Sequence, residues 1–352
     1  MTGVAVRVGG ASDGIAGAGP AAGEDLVALA AELESLAAEA ADLVAAGRAE
    51  ATHRAYASRW RAFETWAADR GLIALPAEPA TVVLHLTWLH RQGRARSTVA
   101  QTAAAIASAH REAGIETPPT AHEAVRRLLR GHRRATRDHL QRQATPVLLD
   151  GIRRLAAACD RSSLAGLRDQ AVLLVGWVAA LRRSEIAGLD VEDLRREPDR
   201  TSLHIRWSKA DQNGRGEWLV LPRSNPIAGD AAHALDAWIA AAGIQQGPVF
   251  RAIDRWGCPR TTRLSARAVG DLVGRYAATA GLCHHPAIEP CPHVWTGHSL
   301  RAGCATQLDL DGVDLRQIER YLRQSTPGMG ARYARREREW RATVAERLGA
   351  GR

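Results

Sequence analysis

A histidine, an arginine and a tyrosine near the C-terminal end have the types and spacing that phosphoryl chemistry needs. His298 and Arg301, in the segment GHSLRAG, are three residues apart and therefore lie on one side of a helical turn. Tyr333 follows in the basic segment ARYARRERE. A nucleophilic hydroxyl close to cationic donors could attack phosphorus in a nucleic acid without a metal ion. The spacing therefore predicts a phosphoryl-transfer site between residues 298 and 333.

The overall charge favours a polyanionic partner for this site. The chain has 47 Lys plus Arg residues against 38 Asp plus Glu residues, which leaves a net charge of +9. The longest apolar run, residues 171–181, is too short to cross a bilayer, and we expect no secretory signal. We therefore expect a cytoplasmic, nucleoid-associated protein that binds nucleic acid and no membrane.

The cysteines do not indicate disulfides or a metal centre. Five cysteines lack the regular spacing of a disulfide framework, so we expect reduced thiols. One loop concentrates cysteine and histidine in a spacing that fits none of the usual zinc patterns: Cys283, His284, His285, Cys291 and His293. We expect no metal and no other cofactor.

Lys209 is the only lysine among the 47 basic residues. Lysine can give up its proton, whereas arginine keeps its proton near neutral pH. The residue lies at the mouth of a predicted β-hairpin, whose first strand alternates Leu203, Ile205 and Trp207. Residues 218–221 form the predicted second strand. A role in proton transfer is one interpretation of this lysine, and chance retention in an arginine-biased sequence is the other.

Length and apolar periodicity indicate two mostly helical domains that position these residues. Residues 1–23 are predicted to form a disordered tail, residues 24–144 a helical domain, and residues 145–352 an α-rich domain with the small hairpin. The boundary is placed at Thr145, because the proline that follows disfavours helix at that residue.

Four helices are predicted in the first domain after an apolar seam that runs from Leu26 to Leu43. The seam could pack within its own domain or against a neighbouring protomer. The helices are expected over residues 53–70 with Thr52 as N-cap, 79–93, 97–114 and 121–141.

The last of these helices carries arginines on several faces, more than ordinary salt bridging requires: Arg126, Arg127, Arg130, Arg133, Arg134, Arg137 and Arg142. We expect phosphate contacts from this set, and a solvated charged face is the alternative. The predicted DNA contacts within it are Arg126, Arg130, Arg133 and Arg134.

Helices are also predicted along the second domain, over residues 148–159, 164–181, 231–242, 265–280 and 313–321, from His298 onward, and near the C-terminus to about residue 348. Tyr321 falls within an apolar stripe, so core packing is expected for it rather than catalysis.

Four separated segments resemble, in order and spacing, the active site of the tyrosine recombinases, or phage integrases. These segments are ALRRSE with Arg182, the hairpin with Lys209, HSLR with His298 and Arg301, and ARYARR with Tyr333. Longer stretches, among them PAEPATVVLHLTWLHRQG, STVAQ, LSARAV and VWTGHSLRAG, also resemble members of this family. The resemblance extends from about residue 30 to residue 340.

The resemblance implies a helical, SAM-like core-binding domain over residues 24–144, followed by an α-rich catalytic domain with a small antiparallel sheet. It implies that Arg182, rather than Arg183, and Arg301 clamp the scissile phosphate, because the family's arginine directly follows a leucine. Tyr333 would be the nucleophile.

Further roles are implied for the neighbouring residues. Lys209 would protonate the leaving 5′-oxygen, His298 would assist proton transfer and hold the phosphate, and Glu185 would orient its neighbours. Nine residues before the nucleophile, where the family usually has histidine or tryptophan, this chain has Gln324. An amide can donate a hydrogen bond but cannot share a proton. Arg323 is the alternative residue for this place.

The resemblance also implies the reaction and the partners. The chain would be a site-specific recombinase that acts through a 3′-phosphotyrosine and a Holliday junction, with neither metal nor ATP. It would be a monomer in solution and a homotetramer on double-stranded DNA with inverted repeats, and the C-terminal helix would dock on a neighbouring protomer. Arg267 and Gln101 would lie on helices that enter the major groove, with phosphate contact or plain surface as alternatives. A type IB topoisomerase-like relaxase and a catalytically weak DNA-binding accessory protein are the other possible functions.

Overall fold

The structure is a computed structural model that describes residues 29, 31–39, 50–137, 143–206, 216–282 and 294–324. The predictions for Lys209, Tyr333, the cysteine and histidine loop, and the C-terminal helix lie outside the described residues. The chain divides into two compact units, Met1–Gln141 and Arg142–Arg352, near the predicted boundary at Thr145. Within the described residues, no helix is long and apolar enough to cross a membrane.

The described part of the first unit is helical. Its main helices are α1 (Glu50–Ala68), α2 (Pro79–Arg91), α3 (Arg96–Glu112) and α4 (Glu123–Ala135). A further helical stretch covers residues 31–39, where Leu33 and Leu36 of the predicted seam are exposed. Helix α1 packs on α3, and α2 packs on α4, around the buried side chains of Phe63, Leu86 and Ile106.

Three boundaries in this unit differ from the sequence prediction. Thr52 is not an N-cap, because α1 begins at Glu50 and contains it. Helix α4 ends at Ala135 rather than near residue 141, and it starts after a short 3₁₀ turn rather than at Ala121. The ring of His122 caps α4 by accepting a hydrogen bond from the Ala124 amide, 3.2 Å away. Histidine is an uncommon N-cap, so the usual capping residues did not reveal this start.

The second unit contains the remaining described helices, which are α5 (Leu149–Ala157), α6 (Leu164–Val178), α7 (Arg183–Gly188), α8 (Pro226–Ala241), α9 (Ala266–Thr279), α10 (Gly297–Leu310) and α11 (Leu315–Tyr321). Helix α6 is buried along nearly its whole length, and it packs against α5, α8 and α10. This position explains the continuous apolar sequence of α6 from Ala171 onward, because a helix surrounded by other elements needs no polar face.

Helix α6 ends earlier than predicted, at Val178 instead of Leu181. Ala180 has a φ of +47°, in the left-handed region that stops a helix. The residues from Ala179 to Leu181 are fully buried nonetheless. The chain therefore turns inside the core and delivers Arg182 at the start of α7.

The predicted hairpin is present as part of a three-stranded antiparallel sheet of β1 (Leu194–Arg196), β2 (Arg200–Ile205) and β3 (Glu217–Pro222). Leu203 is opposite Leu219, and Ile205 is opposite Glu217. Strand β1 and a second hairpin of β4 (Arg251–Ile253) and β5 (Pro259–Arg263) were not predicted. These strands have three to five residues and are rich in arginine, so they lack the alternation that marks a strand in sequence.

Candidate active site

Helix α10 carries the first two candidate residues, and its start is defined by a capping box. The Thr296 hydroxyl accepts a hydrogen bond from the His298 amide at 3.2 Å, and the Thr296 amide donates to the Ser299 hydroxyl at 3.0 Å. A Cβ added at Gly297 would come within 3.1 Å of the Arg183 Cβ. Glycine therefore lets α10 begin directly against α7, with His298 in its first turn.

Arg301 lies one turn further along α10, with only 2% of the residue exposed. Its Nη1 donates to the carbonyl of Ala180 at 2.6 Å, and its Nη2 donates to the carbonyl of Leu322. The guanidinium thus joins the left-handed turn after α6 to the end of α11. Both of these acceptors are main-chain atoms, so the backbone itself orients the charged group.

Arg182 is the N-cap of α7 and pairs with Glu185 in the same helix. Its Nη1 lies 2.5 Å from Glu185 Oε1, and its amide donates to Glu185 Oε2 at 2.9 Å. The side chain of Arg182 is 25% exposed, whereas that of Glu185 is 2% exposed. The buried carboxylate therefore holds a guanidinium that can still reach a ligand. Arg183 is exposed.

Burial alone would raise the pKa of the Glu185 carboxyl. The charge of Arg323, followed by the hydrogen bonds and charge of Arg182, outweighs burial and holds this pKa below its usual value. Glu185 is therefore ionised at neutral pH and acts as the counterion of both arginines.

The surroundings of His298 disfavour its charged form, whereas those of Glu185 favour the charged form. The residue keeps solvent exposure, but partial desolvation of the ring lowers its pKa, and the charges of Arg301 and Arg182 lower it further. The imidazole is consequently neutral at neutral pH. A neutral ring has one donor and one acceptor nitrogen, so it can both hold an oxygen and exchange a proton.

The two residues that follow the C-cap of α11 have different surroundings. The Arg323 side chain is 3% exposed and its Nη2 lies 2.9 Å from Glu185 Oε2. Gln324 is half-buried, and its Oε1 has no hydrogen-bond partner among the described residues. The guanidinium of Arg323 is thus buried and paired with Glu185. The neighbouring Gln324 side chain keeps an amide oxygen without a partner among the described residues.

The chain matches the phage integrase family over residues 147–339 and the N-terminal SAM-like domain of phage integrases over residues 41–116. It is 34% identical over 288 residues to an integrase/recombinase xerD homolog of Selenomonas ruminantium, which covers 81% of this chain and 82% of that protein. The chain belongs to the phage integrase family of tyrosine recombinases.

Other relatives agree with this assignment. The recombinase is 26% identical over 283 residues to recombinase cre of Escherichia phage P1, which covers 76% of this chain and 79% of that protein. A lambda integrase tetramer bound to a Holliday junction has the same fold, with a TM-score of 0.55 and 16% identity. That similarity covers 86% of this chain and 76% of the lambda integrase chain.

The predicted DNA-reading residues of this recombinase lie on exposed helical surfaces in their respective units. The side chain of Arg267, in the first turn of α9, is 90% exposed and lies 3.7 Å from Asp271. Gln101 is exposed on α3 of the first unit. Their roles in reading DNA stay predictions.

The arginines of α4 fall into two groups. Arg126 donates twice to the Ala121 carbonyl, at 2.9 and 2.6 Å, and Arg130 pairs with Glu123 at 2.7 Å. Arg133 and Arg134 are exposed in the last turn of the helix. Arg126 and Arg130 therefore already have partners within the protein. The sequence prediction treated all four arginines alike as phosphate contacts.

Tyr321, the competing tyrosine, packs into the core of the second unit as predicted. Its hydroxyl donates to the carbonyl of Val178 at 2.5 Å. Burial raises the pKa of this phenol. A buried phenol that is bonded to the main chain and hard to ionise is unsuited to be the nucleophile.

Sequence reasoning missed two features of the site. It did not predict that main-chain carbonyls hold Arg301, and it treated Arg323 only as an alternative to Gln324. One signal was present for Arg323, because it lies two residues after the predicted helix over residues 313–321, close to the C-terminal position where glycine is usual.

Proposed function

We propose that this tyrosine recombinase cleaves and rejoins duplex DNA at specific sites through a 3′-phosphotyrosine. The observation that carries the proposal is the proximity of Arg182, Arg301 and His298: the charges of both arginines act on the His298 ring, and the buried Glu185 holds Arg182. Two cationic forks beside a neutral imidazole form a site for a phosphodiester.

The two arginines would stabilise the transition state of cleavage. In-line attack gathers negative charge on the non-bridging oxygens of the phosphate, and two guanidinium groups can bind these oxygens bidentately without a metal. Arg182 is oriented by Glu185, and Arg301 by the carbonyls of Ala180 and Leu322. Donors that are already oriented need no rearrangement during the reaction, and losing one typically costs about a hundredfold or more in rate.

The bond changes follow from the remaining residues. The Tyr333 oxygen would form a bond to phosphorus while the bond from phosphorus to the 5′-oxygen breaks, and Lys209 would give its proton to that oxygen. His298 would assist transfer of the phenol proton and hold the phosphate. A phenol with a pKa near 10 is an acceptable leaving group, so a 5′-hydroxyl can reverse the step. The phosphotyrosine conserves the bond energy, and no ATP is needed.

Recombination would require several protomers on DNA in the cytoplasm. The similar lambda integrase structure contains a tetramer on a Holliday junction. By analogy, we expect this chain to assemble as a homotetramer on two sites with inverted repeats and to exchange strands through a Holliday junction. Arg267 and Gln101 would contact bases, and the arginines of α4 would contact phosphates.

A suicide substrate tests this proposal. Preferred inverted repeats would first be selected from a random library, and the substrate would then be nicked near the cleavage point to trap the covalent 3′ adduct. The wild type should form the adduct, and Tyr333→Phe should abolish it while DNA binding persists. Tyr321→Phe, the same change at the buried tyrosine, should keep the adduct.

The outcomes separate the possible functions. An adduct formed by Tyr333→Phe would show that the nucleophile is wrong. A wild type that binds but never forms the adduct would instead be the accessory protein. A wild type that relaxes supercoiled DNA as a monomer, without strand exchange, would be a topoisomerase-like relaxase.

A further inference from the structure

Arg323 occupies a backbone position that ordinarily belongs to glycine. Its φ is +51°, and it directly follows the last residue of α11 and its C-cap. The Arg323 amide donates to the Arg320 carbonyl at 2.8 Å, and the Gln324 amide donates to the Glu319 carbonyl at 3.1 Å. This pair of bonds is the Schellman motif, in which the left-handed residue is usually glycine. A side chain there strains the backbone.

The side chain of Arg323 has partners that offset this strain. Besides the 2.9 Å ion pair with Glu185, its Nη1 donates to the Ala179 carbonyl and its Nη2 to the Ala180 carbonyl, both at 3.3 Å. A buried guanidinium is stable only when it is paired and hydrogen-bonded. Arg323 is thus built into the base of the site rather than onto its surface.

Glu185 bridges Arg323 to Arg182. One carboxylate oxygen contacts the Arg182 guanidinium, and the other accepts from both the Arg182 amide and the Arg323 guanidinium. The Arg323 carbonyl, in addition, accepts from Arg182 Nη2 at 3.3 Å. Arg323 therefore holds Arg182 by two routes, through Glu185 and through its own main chain.

We propose that Arg323 is a positioning residue for strand cleavage. It aligns Arg182 for the phosphate through Glu185, and it ties the end of α11, from which the chain continues to Gln324 and Tyr333, to the start of α7. It contacts no DNA itself. This inference rests on the proposed function, because it assigns a task within the cleavage step.

Arg323→Gly is the most informative variant, because it removes the guanidinium while placing glycine at a left-handed backbone position that suits it. With protein saturating on the suicide substrate, the cleavage rate should fall about tenfold or more, since Glu185 and Arg182 lose one of the groups that orient them. The Kd for the target DNA should stay within about threefold. Arg316→Ala removes an equal charge from the exposed surface of α11 and should leave the rate unchanged.

A pH profile distinguishes positioning from general support of the fold. The charge of Arg323 lowers the pKa of Glu185 against the effect of burial, so this pKa should rise in Arg323→Gly. The acid side of the cleavage profile should then move to higher pH, because the ionised carboxylate orients the Arg182 guanidinium better than the protonated acid does. In a Glu185→Gln background, Arg323→Gly should have a much smaller effect on the rate than in the wild type.

The proposal is overturned if the cleavage rate of Arg323→Gly is within about twofold of the wild-type rate and falls at the same acidic pH. If that variant lacks a cooperative melting transition, Arg323→Met fills the same space without the charge and provides the same comparison. The two possible failures are distinguishable. If the proposed function is wrong, the wild type itself forms no adduct at Tyr333. If only this inference is wrong, the wild type forms the adduct and Arg323→Gly cleaves at the same rate.

Discussion

Replacing Glu185 with glutamine should destabilise the second unit by an amount that depends on pH. The change keeps the shape of the side chain and removes its charge. Arg323, at 3% exposure, and Arg182, at 25% exposure, then lose their shared counterion. The new amide group also places a donor beside the donors of at least one arginine.

The size of the effect follows from the burial of the pair. Removing one partner from a buried ion pair costs about 3 to 5 kcal/mol, because the other charge stays buried without compensation. Glutamine keeps one acceptor oxygen, so we expect the lower end, about 3 kcal/mol. For a unit of the size of Arg142–Arg352, this corresponds to a decrease in Tm of about 6 to 12 °C.

The sign of the pH dependence is determined by the direction of the pKa shift. The folded-state pKa of Glu185 is lower than its unfolded value, so its stabilisation is fully present above the unfolded pKa, which is about 4.3. That stabilisation is lost as the pH falls through the folded-state pKa. The difference between wild type and Glu185→Gln should therefore be largest near pH 7 and should shrink in more acidic solution.

Urea unfolding of the wild type and the variant across this pH range measures the difference. Glu197→Gln is a matched control, because Glu197 pairs with Arg200 at 2.9 Å on the exposed surface, where solvent screens the pair, and its loss should leave the free energy of unfolding nearly unchanged. A free energy of unfolding for Glu185→Gln within about 0.5 kcal/mol of the wild type at pH 7 would refute the reasoning. A difference that stays constant as the pH falls would also refute it.

The other predictions concern catalysis, packing and DNA affinity. Lys209→Arg should leave DNA binding intact and slow cleavage of the suicide substrate, because arginine does not release its proton near neutral pH. An unchanged cleavage rate would contradict the assignment of Lys209 as the proton donor. Gly303→Ala should lower the free energy of unfolding by about 1 to 3 kcal/mol in urea titrations, because its Cβ would lie 1.8 Å from the Val147 carbonyl oxygen. Arg134→Ala should reduce the slope of log affinity against log salt by about 1, measured by fluorescence anisotropy, and an unchanged slope would argue against a phosphate contact.

Local sequence signals predicted the elements that depend on neighbouring residues. The capping box at Thr296 begins α10 where GHSLRAG indicated, and Pro79 opens α2 as expected. The alternation of Leu203 and Ile205 is present as β2. These features are predictable because caps, proline and apolar alternation act within a few residues of one another.

Other elements depended on contacts that the sequence does not display. Helix α6 stops early because Ala180 adopts a left-handed conformation inside the core, and alanine carries no signal for it. Strand β1 forms by pairing with β2, and its own three residues show no strand pattern. In each case the competing influence was a tertiary contact, which overrides local preference.

Residue types along the chain were enough to indicate a family and a reaction: Arg182, His298 and Arg301, with the predicted nucleophile Tyr333, are suited to phosphoryl transfer. How the charges are held became visible only in the folded chain. Folding brought Arg323, from a distant segment, against the carboxylate that Arg182 also contacts, and it buried the Arg323 guanidinium. The reason is physical: motif spacing reports groups close along the chain, whereas the pairing of buried charges depends on the three-dimensional packing that excludes water around them.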